Sequence, residues 1–109
     1  HSFSANIPPL TLEAKIVQDA DRLDALGAIG IARCIQVSSQ LERPLYAPED
    51  PFCNTRDVDD KTYTLDHFYK KLLIIKDSMH CPSAIKEANK RTQFMQDYLN
   101  QLAQEVNIK

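Results

Sequence analysis

Two carboxylates, Asp21 and Asp24, stand three residues apart in the run Val17-Gln18-Asp19-Ala20-Asp21-Arg22-Leu23-Asp24-Ala25. At about 3.6 residues per turn, Val17, Asp21, Asp24 and Ala28 share one ridge of a helix, beside the apolar stripe Ile16, Ala20 and Leu23. Both carboxylates are then aimed at the edge of a buried face. There a carboxylate is costly unless it is paired, hydrogen-bonded or bound to a cation. The same spacing also suits carboxylates that flank the core and point to solvent or to an arginine. Two Asp alone are a thin metal signal, because a transition metal also wants imidazoles. Asp19 and Arg22 fall on the other side of this helix, at the separation that lets them pair.

The imidazoles are three. His67 lies one position off the apolar stripe of its segment, with Lys71 one turn later on the same face. The pair reads either as a partly buried structural histidine beside a solvated lysine or as a phosphate-facing pair, with the lysine as a point charge. His80 adjoins Cys81-Pro82 at a helix junction and is assigned no chemistry, and His1 opens the chain. Cys34, Cys53 and Cys81 form no C-x-x-C pair, so free thiols in a reducing cytosol are expected rather than zinc or disulfides. No nucleophile elbow, P-loop or G-x-G-x-x-G is present.

Helices must position these groups. Pro8-Pro9 stop any helix arriving from upstream, and Thr11 can cap a new one. From Thr11 to about Gln40, Ile16, Ala20, Leu23, Gly27, Gly30 and Cys34 recur at helical spacing. The two glycines predict a break near Gly27 or a close helix–helix approach. Residues 41–63, with Pro44, Pro48, Pro51 and the acidic pair Asp59-Asp60, read as a long irregular loop: a lid, a binding loop or a plain surface excursion. Thr64 is the expected cap of the next helix, whose stripe is Leu65, Phe68, Leu72, Ile75 and Met79. Pro82 or Ser83 opens the last helix, with the stripe Ile85, Ala88, Thr92, Met95, Leu99, Leu102 and Val106. No segment alternates with period two, so the chain is predicted to be all-α.

Composition bounds the rest. The chain has 109 residues, 43% of them apolar and 26% charged, with a net charge of −2. That suits one soluble domain and argues against a nucleic-acid partner, which would draw a basic surplus. No apolar stretch is long enough to cross a membrane. The start His1-Ser2-Phe3-Ser4 has no signal-peptide character, so a cytoplasmic protein is expected. Because the first residue is not Met, a processed chain or a fragment is expected.

The run from Ile16 to Arg33 closely resembles the last metal-binding helix of bacterial HD-domain phosphohydrolases, in the branch of YedJ-like and YpgQ-like proteins. The likeness continues in His1-Ser2-Phe3-Ser4, in Asp66-His67-Phe68-Tyr69-Lys70-Lys71-Leu72-Leu73 and in Lys76-Asp77-Ser78-Met79. It implies a helical HD-domain-like fold, of which residues 1–109 are the C-terminal part. It also implies a divalent metal ion (Mn, Fe, Mg or Co) held by an H…HD…D set, and hydrolysis of a nucleotide or other small phosphate ester. The family's terminal ligand corresponds to Asp21, with Asp24 supporting it or facing the substrate. His1 corresponds to a histidine that serves a second metal or the phosphate in related enzymes. His67 and Lys71 are expected to steady the phosphates. One departure is large: no His-Asp dipeptide occurs in the sequence. The chain alone is therefore expected to hold metal poorly and to hydrolyse nothing. It would need the missing N-terminal part of the domain, or a second chain, to complete the site. The rival expectation is a non-catalytic helical interaction module or inactive remnant, whose apolar faces pack on a partner.

Overall fold

The computed structural model describes residues 11–107. Four α-helices follow in order: α1 (Leu12–Leu23), α2 (Gly27–Gln40), α3 (Thr64–Lys70) and α4 (Pro82–Val106). A 3₁₀ segment, Leu72–Ser78, links α3 to α4. Among the described residues there is no strand, as the missing period-two pattern predicts.

The helix boundaries have local causes. Thr11 Oγ1 accepts from the Ala14 backbone N–H at 3.0 Å and caps α1. Gly27 breaks the α1–α2 run with φ of +74°, a left-handed value that favours glycine. Gly30 supplies the close approach: a Cβ there would overlap the carbonyl oxygen of Ala25. The break foreseen near Gly27 therefore occurs, and the close approach at Gly30 is to the α1–α2 connection rather than to a second helix. At the far end of α2, the Glu42 N–H donates to Ser39 O and the Arg43 N–H to Ser38 O. These two bonds, with Glu42 at φ of 57°, form a Schellman turn that folds Arg43 back against its helix. Pro82 is the first residue of α4, a position that needs no donor.

Three expectations change. Tyr63, not Thr64, occupies the cap of α3. The Thr64 backbone N–H and hydroxyl both donate to the carbonyl of Pro44, which ties the helix start to the loop. The stripe from Leu65 to Met79 is not one helix: the backbone leaves α geometry at Lys71 and tightens into the 3₁₀ segment, yet Leu72 and Ile75 remain buried. The α4 stripe begins with Ala84 rather than Ile85, which is exposed.

The largest change concerns α1. Ile16 and Ala20 are exposed, and the buried residue of that helix is Asp19, only 3% accessible. Its two oxygens accept from the backbone N–H groups of His80 and Cys81, at 2.9 and 2.8 Å. A carboxylate from α1 thus sits on the positive end of α4. Burial pushes the Asp19 carboxyl up, and these bonds more than reverse it. Arg22 does not pair with Asp19; it donates to the carbonyl of Ser78 at 2.7 Å.

The core joins α2, α3, the 3₁₀ segment and α4, and Leu23 of α1 packs against it. Leu26, Ile31, Leu65, Phe68, Leu72, Ile75, Ala88, Met95 and Leu99 pack as one buried cluster. Phe68 of α3 stacks on Tyr98 of α4 with ring centroids 6.3 Å apart.

Candidate functional site

The α1–α2 corner is where the two carboxylates emerge. Asp21 lies in the last turn of α1, and Asp24 is its C-terminal cap residue. The negative end of a helix is an unfavourable place for an anion and a favourable one for a cation. Both residues line a cavity of about 320 Å³. Across it stand His67 of α3, Arg33 of α2 and Arg43 of the Schellman turn, with Cys34, Val37 and Leu72 among the apolar walls. Arg43 also borders a shallower hollow of about 420 Å³ on the other side of the turn. The structure thus brings together Asp21, Asp24 and His67. It does not bring Lys71 to them: Lys71 sits at the α3–3₁₀ junction, outside that lining. His1 lies outside the described residues.

The long loop positions His67. Asp50 gathers its own loop, accepting from the backbone N–H groups of Asn54, Thr55 and Arg56 and from the Thr55 hydroxyl. Arg56 then forms a two-pronged bridge to the buried Asp66 of α3, at 2.7 and 2.9 Å. The Asp59 N–H donates to the same carboxylate at 2.7 Å. This scaffold holds Asp60, whose Oδ2 lies 3.2 Å from His67 Nδ1. Burial pushes the Asp60 carboxyl up, but the bond and charge of His67 outweigh it and keep Asp60 below its ordinary value. An ionised carboxylate only accepts, so the proton of this contact is on Nδ1, and Nε2 is the nitrogen left for other partners. Residues 41–63 are therefore a built support and not a plain surface excursion.

Arg33, Arg43 and Asp60 are the lining or supporting residues that sequence reasoning missed. Arg33 closes the run that carried the resemblance, and Asp60 was visible only as half of an acidic pair. Nothing in the sequence marks Arg43, whose position depends on the turn.

The donor set is oxygen and imidazole, which suits a divalent cation. Even so, among the described residues no three His, Cys, Asp or Glu side chains converge on a common point for a metal. The described residues alone do not make a metal centre. Burial pushes the Cys34 thiol up to about 11, so without a bound cation it is a thiol and not a thiolate at neutral pH. No helix among them is long and apolar enough to cross a membrane.

No family model matches the chain. It is 38% identical over 98 residues to the Bacillus subtilis protein YpgQ, an alignment covering 90% of this chain and 42% of that protein. It is 35% identical over 104 residues to protein L803 of Acanthamoeba polyphaga mimivirus, covering 77% of this chain and 43% of that one. The chain spans less than half the length of these curated relatives. Among solved structures, an HD-superfamily hydrolase from Bacillus thuringiensis superposes with a TM-score of 0.77 at 41% identity, over 92% of this chain and 49% of that one. Bacillus subtilis YpgQ in complex with ADP superposes with a TM-score of 0.76 at 38% identity, over 92% and 47% of the two chains. The helical arrangement of this chain is therefore an HD-superfamily hydrolase-like fold, present over about half the length of those structures.

Proposed function

We propose that this chain belongs to a metal-dependent phosphohydrolase acting on a nucleotide or another small phosphate ester. The observation that carries the reading is the cavity in which two carboxylates at a helix C-terminus face a carboxylate-held histidine and two arginines. Asp21 would be one ligand of a divalent cation, and Asp24 would face the substrate or its water. The remaining ligands would come from sequence outside the described residues or from a second chain. A bound divalent cation would supply Lewis-acid stabilisation of phosphoryl charge and a more acidic water. His67, held through Nδ1 by Asp60, would present Nε2 to the phosphate oxygens. The ADP complex of YpgQ supports a nucleotide as the substrate class. The test is Asp21→Asn in the complete protein, with Mn²⁺ and ADP supplied. Metal binding and turnover should be lost while the helical circular dichroism survives. Undiminished turnover would sink the assignment.

A second reading rests on the apolar residues that α1 and α2 leave exposed, Leu12, Ile16, Val17, Ile29, Val37 and Leu41. They suit a helical module that packs on a partner and does no chemistry. A complete protein that binds neither Mn²⁺ nor ADP would favour it.

A further inference from the structure

Helix α1 is attached to the rest of the molecule by its polar side. The residue it buries is Asp19, while Leu12, Ile16 and Val17 are each more than half exposed. Gln18 and Arg22 share the Asp19 side of the helix. All three reach one short stretch, residues 78–81, where the 3₁₀ segment passes into α4. Gln18 Oε1 lies 2.9 Å from His80 Nε2, Arg22 donates to Ser78 O, and the Asp19 oxygens accept from the His80 and Cys81 N–H groups. That stretch is itself referred to the opposite wall of the cavity. The 3₁₀ segment follows directly on α3, which carries His67, and Leu72 and Ile75 bury it in the core.

The Asp19 contact differs from the other two in what it can fix. Two oxygens of one short side chain meet two successive backbone donors, and hydrogen bonds of this kind set a direction that apolar burial does not. At about 100° per residue, Asp21 lies about 160° and Asp24 about 140° round the helix from Asp19. Side chains reach about 5–6 Å from a helix axis, so turning α1 by about 20° would move both carboxylates by about 2 Å. Asp19 is not among the residues that line the cavity, yet both carboxylates that do are aimed from its helix. We infer that Asp19 is the positioning residue of the candidate site: its grip on the two N–H groups sets the rotation of α1 and so aims Asp21 and Asp24 across the cavity at His67. This rests on the reading of that cavity as the reaction site.

The experiment compares Asp19→Asn and Asp19→Glu with Thr11→Ala in the complete protein. Asp19→Asn keeps the shape but turns an amide group toward one of the two backbone donors. Asp19→Glu keeps both acceptors, one methylene further out. Thr11→Ala removes the N-terminal cap of the same helix and loosens α1 without touching the grip. Each variant is read by its crystal structure and by Mn²⁺ calorimetry well below its melting temperature. In both Asp19 variants α1 should stand turned about its axis, with Mn²⁺ bound about tenfold or more weakly. Thr11→Ala should melt lower and yet bind Mn²⁺ within about twofold of the wild type. If Asp19→Asn does not fold, Asp19→Glu, which still caps α4, decides the matter. An unturned α1 in the variants that fold, or Mn²⁺ binding weakened as much by Thr11→Ala, would overturn the inference. A turned α1 in a protein whose wild type binds no Mn²⁺ would defeat the metal reading and leave the positioning role standing. Mn²⁺ binding that needs Asp21 but is unchanged in both Asp19 variants would do the reverse.

Discussion

Arg91 of α4 donates to the carbonyl oxygen of Leu23, the last residue of α1, at 2.7 Å. The Leu26 N–H donates to the same oxygen at 3.0 Å, so the two bonds together satisfy one of the carbonyls that a helix end leaves without an internal partner. The Arg91 bond also fastens the corner from which Asp21 and Asp24 emerge to the longest helix of the chain. Gly27 makes room for it: a Cβ there would stand 3.0 Å from Arg91 Cγ. The geometry of the candidate site is thus set by groups that never enter the cavity.

Gly30 tests that corner most directly. In Gly30→Ala the new methyl meets backbone, the Ala25 carbonyl, and backbone cannot swing aside as a side-chain tip can. Forced overpacking of this kind costs about 2–3 kcal/mol. Urea unfolding should show that loss, and Mn²⁺ binding by the complete protein should weaken with it as Asp21 and Asp24 shift. A variant as stable as the wild type would show that the α1–α2 corner is looser than described.

Asp66 has no accessible side-chain surface and is held by both prongs of Arg56 and by the Asp59 N–H. Asp66→Ala removes the buried partner of the pair and leaves Arg56, 23% accessible, without its carboxylate, so the urea midpoint should fall. Because the same bridge fixes the loop that carries Asp60, the His67 ring should lose its fixed orientation too. The checks are a urea midpoint and the His67 side-chain resonances. A loss under about 1 kcal/mol would place this bridge with the weak surface pairs.

Acid should unfold the protein through the same groups. For Asp19, Asp60 and Asp66 burial pushes the carboxyl up, but hydrogen bonds and nearby positive charge bring each below its ordinary value of 3.8. A depressed native value means that the unfolded chain takes up protons first. The stabilisation is therefore complete above the unfolded value and disappears as pH falls through the lower native ones. Urea midpoints should stay nearly flat from about pH 7 to 5 and drop steeply below about pH 4. Asp66→Asn should flatten that drop. An acid profile identical to wild type would remove Asp66 from the explanation.

These groups also mark where sequence reasoning stops. Thr11, Gly27 and Pro82 announce helix ends through their own backbone chemistry, so those boundaries are legible residue by residue. Asp19 is not legible. Periodicity puts a carboxylate outside unless something is known to meet it, and here the N-terminus of α4, more than sixty residues away, is what meets it. The break at Lys71 escaped for a related reason: a 3₁₀ segment keeps the same apolar residues inward, so the stripe looks continuous. Within the candidate site, spacing alone leaves Asp21, Asp24 and His67 open between a structural and a functional reading, and the resemblance is what singles them out. Arg33 and Arg43 read as ordinary solvated charges until the fold shows that the other three arginines are already engaged.

The thiols should be inert. Burial, with the nearby Asp66, pushes Cys53 to about 11, and burial alone does the same to Cys34. The Cys81 thiol is raised chiefly by its hydrogen bond to the Asp19 carboxylate. At pH 8 a thiol near 11, as in Cys34 and Cys53, is about one part in a thousand thiolate, against about a quarter for a free cysteine. Iodoacetamide should label the native protein at least tenfold more slowly than the urea-unfolded chain. Rapid native labelling of Cys34, read by peptide mass, would mean that the cavity wall opens.

Thr92 gives the one core change expected to stabilise. It lies in the buried stripe of α4, 2% accessible, and its hydroxyl has no hydrogen-bond partner. Folding strips water from that oxygen and gives it nothing in return. Val has nearly the same shape without the oxygen, and Thr92→Val should raise stability by about 1 kcal/mol, or about 4–8 °C in Tm for a domain of this size. Thr92→Ser separates the two contributions: it keeps the stranded hydroxyl, loses a methyl and should destabilise. If Thr92→Val melts lower than the wild type, the hydroxyl must be bonded in solution, and the interior of α4 is wetter than its packing against Phe68 and Leu72 implies.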